Sequence, residues 1–181
     1  MPDGVEVERH IEEHGCAAAV LPYDPERRCA LLVSMPRAPV IQEGEDDLLE
    51  AMAGALEGER ADECARREAR EEGGVRLDQL EPLGTFWSMP AFSTERLSLF
   101  LAPYRQANRV GEGGGAATEH ENIIVHEIAL RDLWQRAAAG ALRDLKTVFL
   151  LQSLRLRHPH LFGSEPVLDV SAGPAEPVEL P

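Results

Sequence analysis

The segment 61–74, ADECARREAREEGG, places acidic side chains where a helix normally buries apolar ones. Its composition predicts a helix that Asp62 can cap and that Gly73–Gly74 can end. At about 100° per residue, one side of that helix is apolar and faces the protein. Glu68 and Glu72 fall in the middle of this same side. The apolar residues that share it are Cys64, Ala65 and Ala69.

The other charges of the helix point elsewhere. Glu71 falls at the edge of the apolar side, and the opposite, solvated side carries Arg66, Arg67 and Arg70. Two carboxylates one turn apart repel each other, and burial makes their ionised forms more costly. Either a cation therefore lies beside Glu68 and Glu72, or one of them is protonated. Mg²⁺ suits the first alternative because it binds a few carboxylates together with water and phosphate oxygens.

The rest of the chain predicts an α+β domain, that is, a mixed α/β fold. Strands are predicted at 16–24, 28–37, the start of 48–59, 81–90, 95–105 and 123–130, and further helices at 131–140 and 142–157. Residues 40–47 read as a polar loop, and the Gly-rich stretch 107–122 is long enough to suggest a functional loop. We expect one domain over 1–162 and a Pro- and acid-rich tail over 163–181.

Composition narrows the possible partners. A net charge of −14 argues against a nucleic-acid or anionic-membrane surface. No apolar run is long enough for a membrane span. The three cysteines lack metal-type spacing and are typical of reduced thiols in a cytoplasmic protein. Likewise, the six histidines show no ligand spacing, so each is expected on the surface or in the core.

The stretch 54–75, GALEGERADECARREAREEGGV, resembles the Nudix box of the Nudix hydrolases. The core of that motif is Arg-Glu-apolar-x-Glu-Glu-x-Gly-apolar, which residues 67–75 fill. Glu59 holds the upstream acid position. The sequence departs from the family at two points: four residues rather than five separate Gly54 from Glu59, and Ala69 is small for its position.

The resemblance covers about residues 8–162 and is closest to the ADP-ribose and GDP-mannose pyrophosphatase branch. LLEAMAG (48–54), SMPAFSTER (88–96), EHENIIVHEI (119–128) and LRDLKTVFLLQSL (142–154) carry it. It implies an α/β/α sandwich with a mixed central sheet and an antiparallel hairpin sheet. It also implies Mg²⁺-dependent hydrolysis of a nucleoside diphosphate sugar, with Mn²⁺ as a possible substitute, by a homodimer.

Residue roles follow from the same resemblance. The implied metal ligands are Glu68, Glu72, Glu121 and the carbonyl of Ala53, with Glu71 as a supporting acid. Glu119 is the implied general base. The implied substrate contacts are Arg37, Glu95, Lys146 and the backbone of Gly54 and Ala55. Such groups suit the chemistry, because a diphosphate needs its charge neutralised and a carboxylate can accept the proton of the attacking water.

Simpler interpretations stay open for several of these residues. Glu119 and Glu121 are compatible with solvated loop acids, Glu95 with a strand-end ion pair and Lys146 with a surface position on a helix. Phe86, Trp87 and Phe92 are expected to pack in the core or a loop rather than to stack on a base. A second hypothesis is a sensor that binds a nucleotide sugar with little turnover, which the short Gly54–Glu59 interval suggests.

Overall fold

A computed structural model describes residues 4, 6–115 and 122–163 of the chain. Its strands are β1 (Cys16–Asp24), β2 (Cys29–Ser34), β3 (Met52–Ala55), β4 (Glu81–Trp87), β5 (Arg96–Pro103) and β6 (Ile124–Ala129). Its helices are α1 (Ala38–Gln42), α2 (Ala61–Glu71), α3 (Leu130–Ala138) and α4 (Leu145–Arg157), with 3₁₀ turns at Gln106–Asn108 and Pro159–Phe162. The predicted α+β class is confirmed.

The strands form one six-stranded mixed sheet in which β1 is central. Its path runs β4-β5-β1-β2-β6, and β1 pairs in parallel with β5 along its whole length. On its other edge, β1 pairs with β3 from Ala17 to Val20 and with β2 only at Tyr23 and Asp24. β1 thus has two antiparallel partners in succession, and β2 leaves β1 after Ala30, its second residue.

Helices cover both faces of the sheet, which gives the expected α/β/α layers. On one face, the apolar side of α2 packs against β1, β3 and β5 around Val20, Met52 and Phe100. On the other face, α3 and α4 pack around Leu21, Leu101 and a row of buried leucines. β1 is buried from Ala17 onward because it lies between both layers.

Local chemistry explains the ends of α2 only in part. The prediction that Asp62 caps the helix is wrong, because Arg60 occupies the N-cap position and Asp62 pairs with the Arg60 guanidinium at 2.9 Å. The Glu63 carboxylate instead accepts the Arg60 backbone N–H at 3.1 Å, which is one half of a capping box. At the other end, the helix stops at Glu71, and Gly74 follows at φ 62°, as the glycine pair predicts.

The Gly-rich segment packs its backbone against this end of α2. Gly114 and Gly115 donate backbone hydrogen bonds to the carbonyls of Glu72 and Glu71 at 2.8 and 3.0 Å. A Cβ on Gly113 would lie 2.2 Å from the Glu72 carbonyl oxygen, so a side chain there would prevent the contact. The loop that contains the predicted acids therefore starts at the carboxyl end of the carboxylate-bearing helix.

The remaining sequence expectations have mixed outcomes. Part of the predicted polar loop at 40–47 belongs to α1, which begins at Ala38 with a proline in its first turn. α4 begins at Leu145 because Asp144 accepts the Thr147 backbone N–H at 3.0 Å as its N-cap. Within the part of the chain that the structure describes, no helix has the length and apolar character that crossing a membrane requires. The expected tail lies outside the described residues, apart from Gly163.

Two leucines on α4 test how the sheet is covered. Leu150 is fully buried in the core, whereas Leu156 is 84% exposed. We expect Leu150→Ala to lower the free energy of unfolding by about 2–5 kcal/mol, since it leaves a cavity under the sheet. Leu156→Ala, the matched control, should change it by less than about 0.5 kcal/mol. Urea denaturation of both variants is the measurement, and equal effects would contradict the packing described here.

Candidate active site

Two acidic side chains, Glu68 in α2 and Glu72 at its C-cap, are buried as their spacing predicts. Glu68 is 8% and Glu72 3% exposed, on the same side as Cys64, Ala65 and Ala69. Glu71 is exposed. Buried carboxylates are rare unless charged or hydrogen-bonding partners surround them. This side of α2 is therefore a site rather than an ordinary solvated face.

The backbone of β3 lies directly against these carboxylates. Ala53 donates its N–H to Glu72 Oε2 at 3.2 Å. A Cβ on Gly54 would lie 1.7 Å from Glu68 Oε1, so only glycine leaves room for that carboxylate. Because Gly54 pairs with Ala18 in the centre of the sheet, its position is fixed by β1. The sequence from Ala53 to Ala55 thus forms one wall of a carboxylate cradle.

Arg67 supplies part of the positive charge that the buried acids require. Its predicted place on the solvated side is wrong, because its guanidinium turns back to Glu68 at 2.7 Å and Glu71 at 3.2 Å. It also contacts Glu59 at 2.9 Å and the Ala55 carbonyl at 3.1 Å. Burial opposes the charge on Arg67, but the bond with Glu59 and the charges of Glu68 and Glu71 raise its pKa nonetheless.

The same contacts bear on the short Gly54–Glu59 interval. Glu59 reaches Arg67 despite the missing residue, and this hydrogen bond lowers the pKa of the Glu59 carboxyl. The Glu57 N–H also donates to Glu59 at 2.8 Å, which closes the turn. The shorter loop therefore preserves the pairing between the upstream acid and the arginine of α2.

Cys64 lies next to this cradle as a neutral thiol. Its Sγ is 3.4 Å from the Gly54 carbonyl and 3.5 Å from the Ala55 carbonyl. Burial and the negative charge of Glu68 raise the pKa of Cys64 to about 11. A thiol with so high a pKa is protonated at neutral pH and can donate weakly to these two carbonyls.

A cavity of about 540 Å³ opens beside β3. Its size is within the range of small-molecule sites. Six of the sequence-predicted residues line it together, although they come from four separate parts of the chain: Arg37, Ala53, Gly54, Ala55, Glu95 and Lys146. Glu68 and Glu72 contact this wall through Gly54 and Ala53. The structure thus brings to one place all the predicted metal and substrate residues that lie within the described part of the chain.

Glu50 connects the two cations of the cavity. Arg37 donates Nε and Nη2 to the two oxygens of this buried carboxylate at 2.9 and 3.0 Å, and Lys146 Nζ donates at 2.6 Å. Burial alone would raise the pKa of Glu50, but the Arg37 hydrogen bond and the Lys146 charge lower it below its ordinary value. Such charge-assisted, bidentate contacts fix side-chain direction strongly. The side chain of Arg37 still stays 41% exposed beside the cavity.

Asp144 fixes Lys146 from the other side. Its carboxylate accepts from Lys146 Nζ at 3.0 Å and caps α4 through the Thr147 N–H. The Thr147 hydroxyl also donates to Asp144 and accepts the Ala51 N–H at 2.6 Å. The first turn of α4 is therefore tied to the residues around Glu50, and Lys146 is held between two acids.

Glu95 pairs with His14. The strand-end ion pair considered for Glu95 would have used its neighbour Arg96 instead. His14 Nδ1 lies 3.1 Å from Glu95 Oε1, and both side chains line the cavity. The preceding residues place His14 there, because the Glu12 backbone pairs with Ser93 and the His14 N–H donates to the Thr94 hydroxyl at 3.1 Å. His14 is thus a cavity residue that its spacing in the sequence did not indicate.

The expectation that the aromatic residues pack in the core or in a loop is wrong for Phe86 and Trp87, which lie on β4. Phe86 and Trp87 are 39% and 58% exposed, and both line the cavity. Phe92 is also exposed, in the loop before β5. Phe86 and Trp87 lie at the end of β4, which is an edge strand of the sheet.

The predicted loop acids Glu119 and Glu121 lie outside the described residues. Among residues 6–115 and 122–163, no group of three or more His, Cys, Asp or Glu side chains is arranged to hold a metal ion. Glu68 and Glu72 alone still fit a hard cation, because Mg²⁺ is commonly held by one or two carboxylates plus water and substrate phosphates. The space that Gly54 leaves for Glu68 supports the same donor set.

Sequence reasoning missed Glu50, His14, Asp144 and Phe149. A signal existed for Glu50, which is the one acid inside the apolar run LLEAMAG. Asp144 could have been identified as an N-cap three residues before Thr147. His14 and Phe149 carry no such signal, since only the folded sheet brings them to the cavity.

Fold and site together define a class of α/β/α protein in which a carboxylate-bearing helix faces a cavity with paired cations. Comparison with known proteins agrees, because the NUDIX domain matches residues 13–148. The chain belongs to the Nudix family.

The matches to three relatives cover most of this chain and most of each relative. A GDP-mannose pyrophosphatase of Cronobacter sakazakii is 38% identical over 151 residues, which is 82% of this chain and 78% of that protein. A GDP-mannose pyrophosphatase of Salmonella arizonae is 32% identical over 83% of this chain and 78% of its own. An ADP-ribose pyrophosphatase of Escherichia coli is 35% identical over 86% of this chain and 75% of its own. The expected family and branch are confirmed.

The network around Glu50 predicts a pH-dependent stability. A carboxyl whose pKa is lowered on folding stabilises the protein above its unfolded pKa, and this contribution is lost as pH falls through the folded pKa. Glu50→Gln should therefore lower the free energy of unfolding by about 3 kcal/mol near neutral pH. The difference from the wild type should shrink below the ordinary pKa of 4.5.

Urea denaturation at about pH 7 and about pH 3 measures this difference. Glu45→Gln is the matched control, because Glu45 pairs with Arg143 at 2.7 Å on the surface, where an ion pair contributes little. A Glu50→Gln effect of equal size at both pH values would show that Glu50 is not charged in the folded state.

Proposed function

We propose that this protein hydrolyses the diphosphate linkage of a nucleoside diphosphate sugar and releases a nucleoside monophosphate and a sugar phosphate. The observation that carries the proposal is the buried pair Glu68 and Glu72 behind the β3 backbone, next to a cavity with Arg37 and Lys146. Relatives named GDP-mannose and ADP-ribose pyrophosphatase support the same substrate class.

In this proposal the α2 carboxylates hold the divalent cation. Glu68 and Glu72 are the side-chain ligands, and Ala53 adds its carbonyl. A bound Mg²⁺, or Mn²⁺ in its place, would neutralise the diphosphate and lower the pKa of a water ligand. Arg67 orients Glu68 through its 2.7 Å contact, so the carboxylate is already positioned before a cation binds.

The cations of the cavity bind the substrate in this scheme. Arg37 presents a planar guanidinium, which suits phosphate oxygens, and Lys146 adds a point charge. Glu50 holds both before the substrate arrives, so that less side-chain entropy is lost on binding. Gly54 and Ala55 line the site with backbone, and Glu95 contacts the substrate beside His14.

The water-derived proton goes to a carboxylate of the Gly-rich loop. We assign Glu119 as general base and Glu121 as a further metal ligand. The support is that Gly114 and Gly115 anchor the start of this loop to the carbonyls of Glu72 and Glu71. A carboxylate in general-base position typically contributes about 10²–10⁴ to the rate.

The proposal also covers the location, the partners and the assembly of the protein. The three free cysteines are consistent with a cytoplasmic location, and the net charge of −14 is consistent with a protein that does not bind nucleic acid or membranes. A homodimer follows from the resemblance alone, and sedimentation at several concentrations tests it. We also propose that residues 1–162 form the catalytic domain and that 163–181 are a tail outside it.

A substrate panel tests the activity. We expect cleavage of GDP-mannose or ADP-ribose with Mg²⁺, and a loss of at least about 100-fold for Glu68→Gln, because the variant lacks a charged ligand. Glu63→Gln is the matched control on the same helix, where the amide oxygen can still accept the Arg60 N–H. Phosphate release after secondary phosphatase treatment is the measurement.

Two outcomes would argue against catalysis. Tight binding of either substrate without cleavage at high enzyme concentration would favour a sensor. Equal activity of Glu68→Gln and wild type would remove Glu68 from the reaction. The Glu59–Arg67 contact, which the short loop preserves, favours the enzyme.

Metal binding should be visible in stability. Ligation of the folded state alone at about 100 times the dissociation constant adds about 2.7 kcal/mol. For a domain of this size, that corresponds to an increase in melting temperature of about 5–10 °C. A variant with both Glu68→Gln and Glu72→Gln should show no such increase over the same Mg²⁺ range. An unchanged melting temperature for the wild type would contradict a preformed cation site.

A further inference from the structure

One wall of the cavity is formed by aromatic rings. Phe86 and Trp87 come from the end of β4 and Phe149 from the second turn of α4, and we call these three residues the ring wall. Leu97 and Leu99 of β5 form the apolar floor between them. Among the described lining residues, the charged side chains come instead from His14, Arg37, Glu95 and the first turn of α4. The rings thus form one wall of the cavity, and the His14–Glu95 pair lies beside Trp87 in the β4–β5 register.

The ring wall is held in place by its own contacts. The rings of Phe86 and Phe149 are 4.9 Å apart between centroids and inclined by 59°. Phe86 also lies over Gly84, where a Cβ would come within 3.2 Å of its Cζ. Phe86 is thereby packed on two sides, and Trp87 remains 58% exposed. An exposed indole next to a packed ring pair offers a flat apolar surface to a ligand.

Helix α4 sets the spacing between Lys146 and the ring wall. Lys146 and Phe149 are three residues apart, so they share one side of the helix with a rise of roughly 4.5 Å between them. A molecule whose anionic group contacts Lys146 therefore extends along α4 towards the ring wall. In a nucleotide, a single ribose separates the first phosphate from a flat aromatic base.

We propose that the ring wall binds the nucleobase by stacking, with Trp87 and Phe149 as the contacting rings. This inference rests on the proposed function and assigns the orientation of its substrate: base at the ring wall, diphosphate at Arg37 and Lys146. A base suits the ring wall better than a sugar does, because a base presents a flat aromatic face to the rings. Stacking also tolerates different bases, since each has an aromatic face.

Fluorescence tests the contact directly. The chain has two tryptophans. Trp134 lies on α3, packs against Phe162 and Arg155, and does not line the cavity. In a Trp134→Phe variant, the emission reports Trp87 alone. We expect saturable quenching by AMP or GMP without added metal, and none by ribose 5-phosphate or mannose 1-phosphate. Quenching by the sugar phosphates and not by the nucleotides would assign the ring wall to the sugar and overturn the proposal.

Kinetics separates this inference from the proposed function. Loss of one stacking partner in Trp87→Leu or Phe149→Leu should raise KM for the nucleoside diphosphate sugar about tenfold, with a smaller change in kcat. Leu156→Ala, on the exposed side of the same helix, is the control and should leave KM unchanged. Hydrolysis with normal KM in both ring variants would overturn the base site and leave the activity standing. Nucleotide quenching without any hydrolysis would support the base site and contradict the proposed activity.

Self-association supplies one further control. If a second copy of the chain covered the ring wall, Trp87 emission would shift with protein concentration and would not respond to nucleotides. That result would also overturn the proposal. Sedimentation under the conditions of the fluorescence titration identifies it.

Discussion

The site depends on the burial of two carboxylates against a strand that has no room for a side chain. Glu68 and Glu72 are turned inward from α2, and the missing Cβ of Gly54 gives Glu68 its space. This arrangement is costly for the folded protein without compensating charge. Arg67 provides part of that charge, and the proposed cation would provide the rest. The helix is therefore built for binding at some expense of stability, as functional sites commonly are.

At the cations of the cavity, Arg37 and Lys146, the charge is positive and acids compensate it. Arg37 and Lys146 are each paired with acids, so Glu50 and Asp144 offset their charge before any ligand binds. Paired cations are positioned accurately, but they attract a distant anion less than unpaired ones do. With a net charge of −14, the protein as a whole repels a diphosphate. Affinity in the proposed reaction must therefore come from the bound metal and from contacts at the ring wall.

The fork of β1 explains how distant residues meet. Because β1 changes partner from β3 to β2 along one edge, β2 separates from β1 after Ala30. Glu50 forms a backbone bridge to Val33, and Arg37 follows the end of β2. On the other edge, β5 brings Glu95 and the ring-bearing end of β4 to the same cavity. The site lies where the sheet is least regular.

The sequence by itself determined the six strands, the helices other than α1, the inward turn of Glu68 and Glu72, and the family. Those features depend on local periodicity, glycine placement and a contiguous motif, all of which are readable within a few turns of chain. Only the tertiary structure decided that Arg67 folds back onto the acids, that Glu50 joins two cations, and that Phe86 and Trp87 face a cavity instead of a core. These depend on which long side chains meet across the sheet, and residue spacing along one element carries no information about a partner from another.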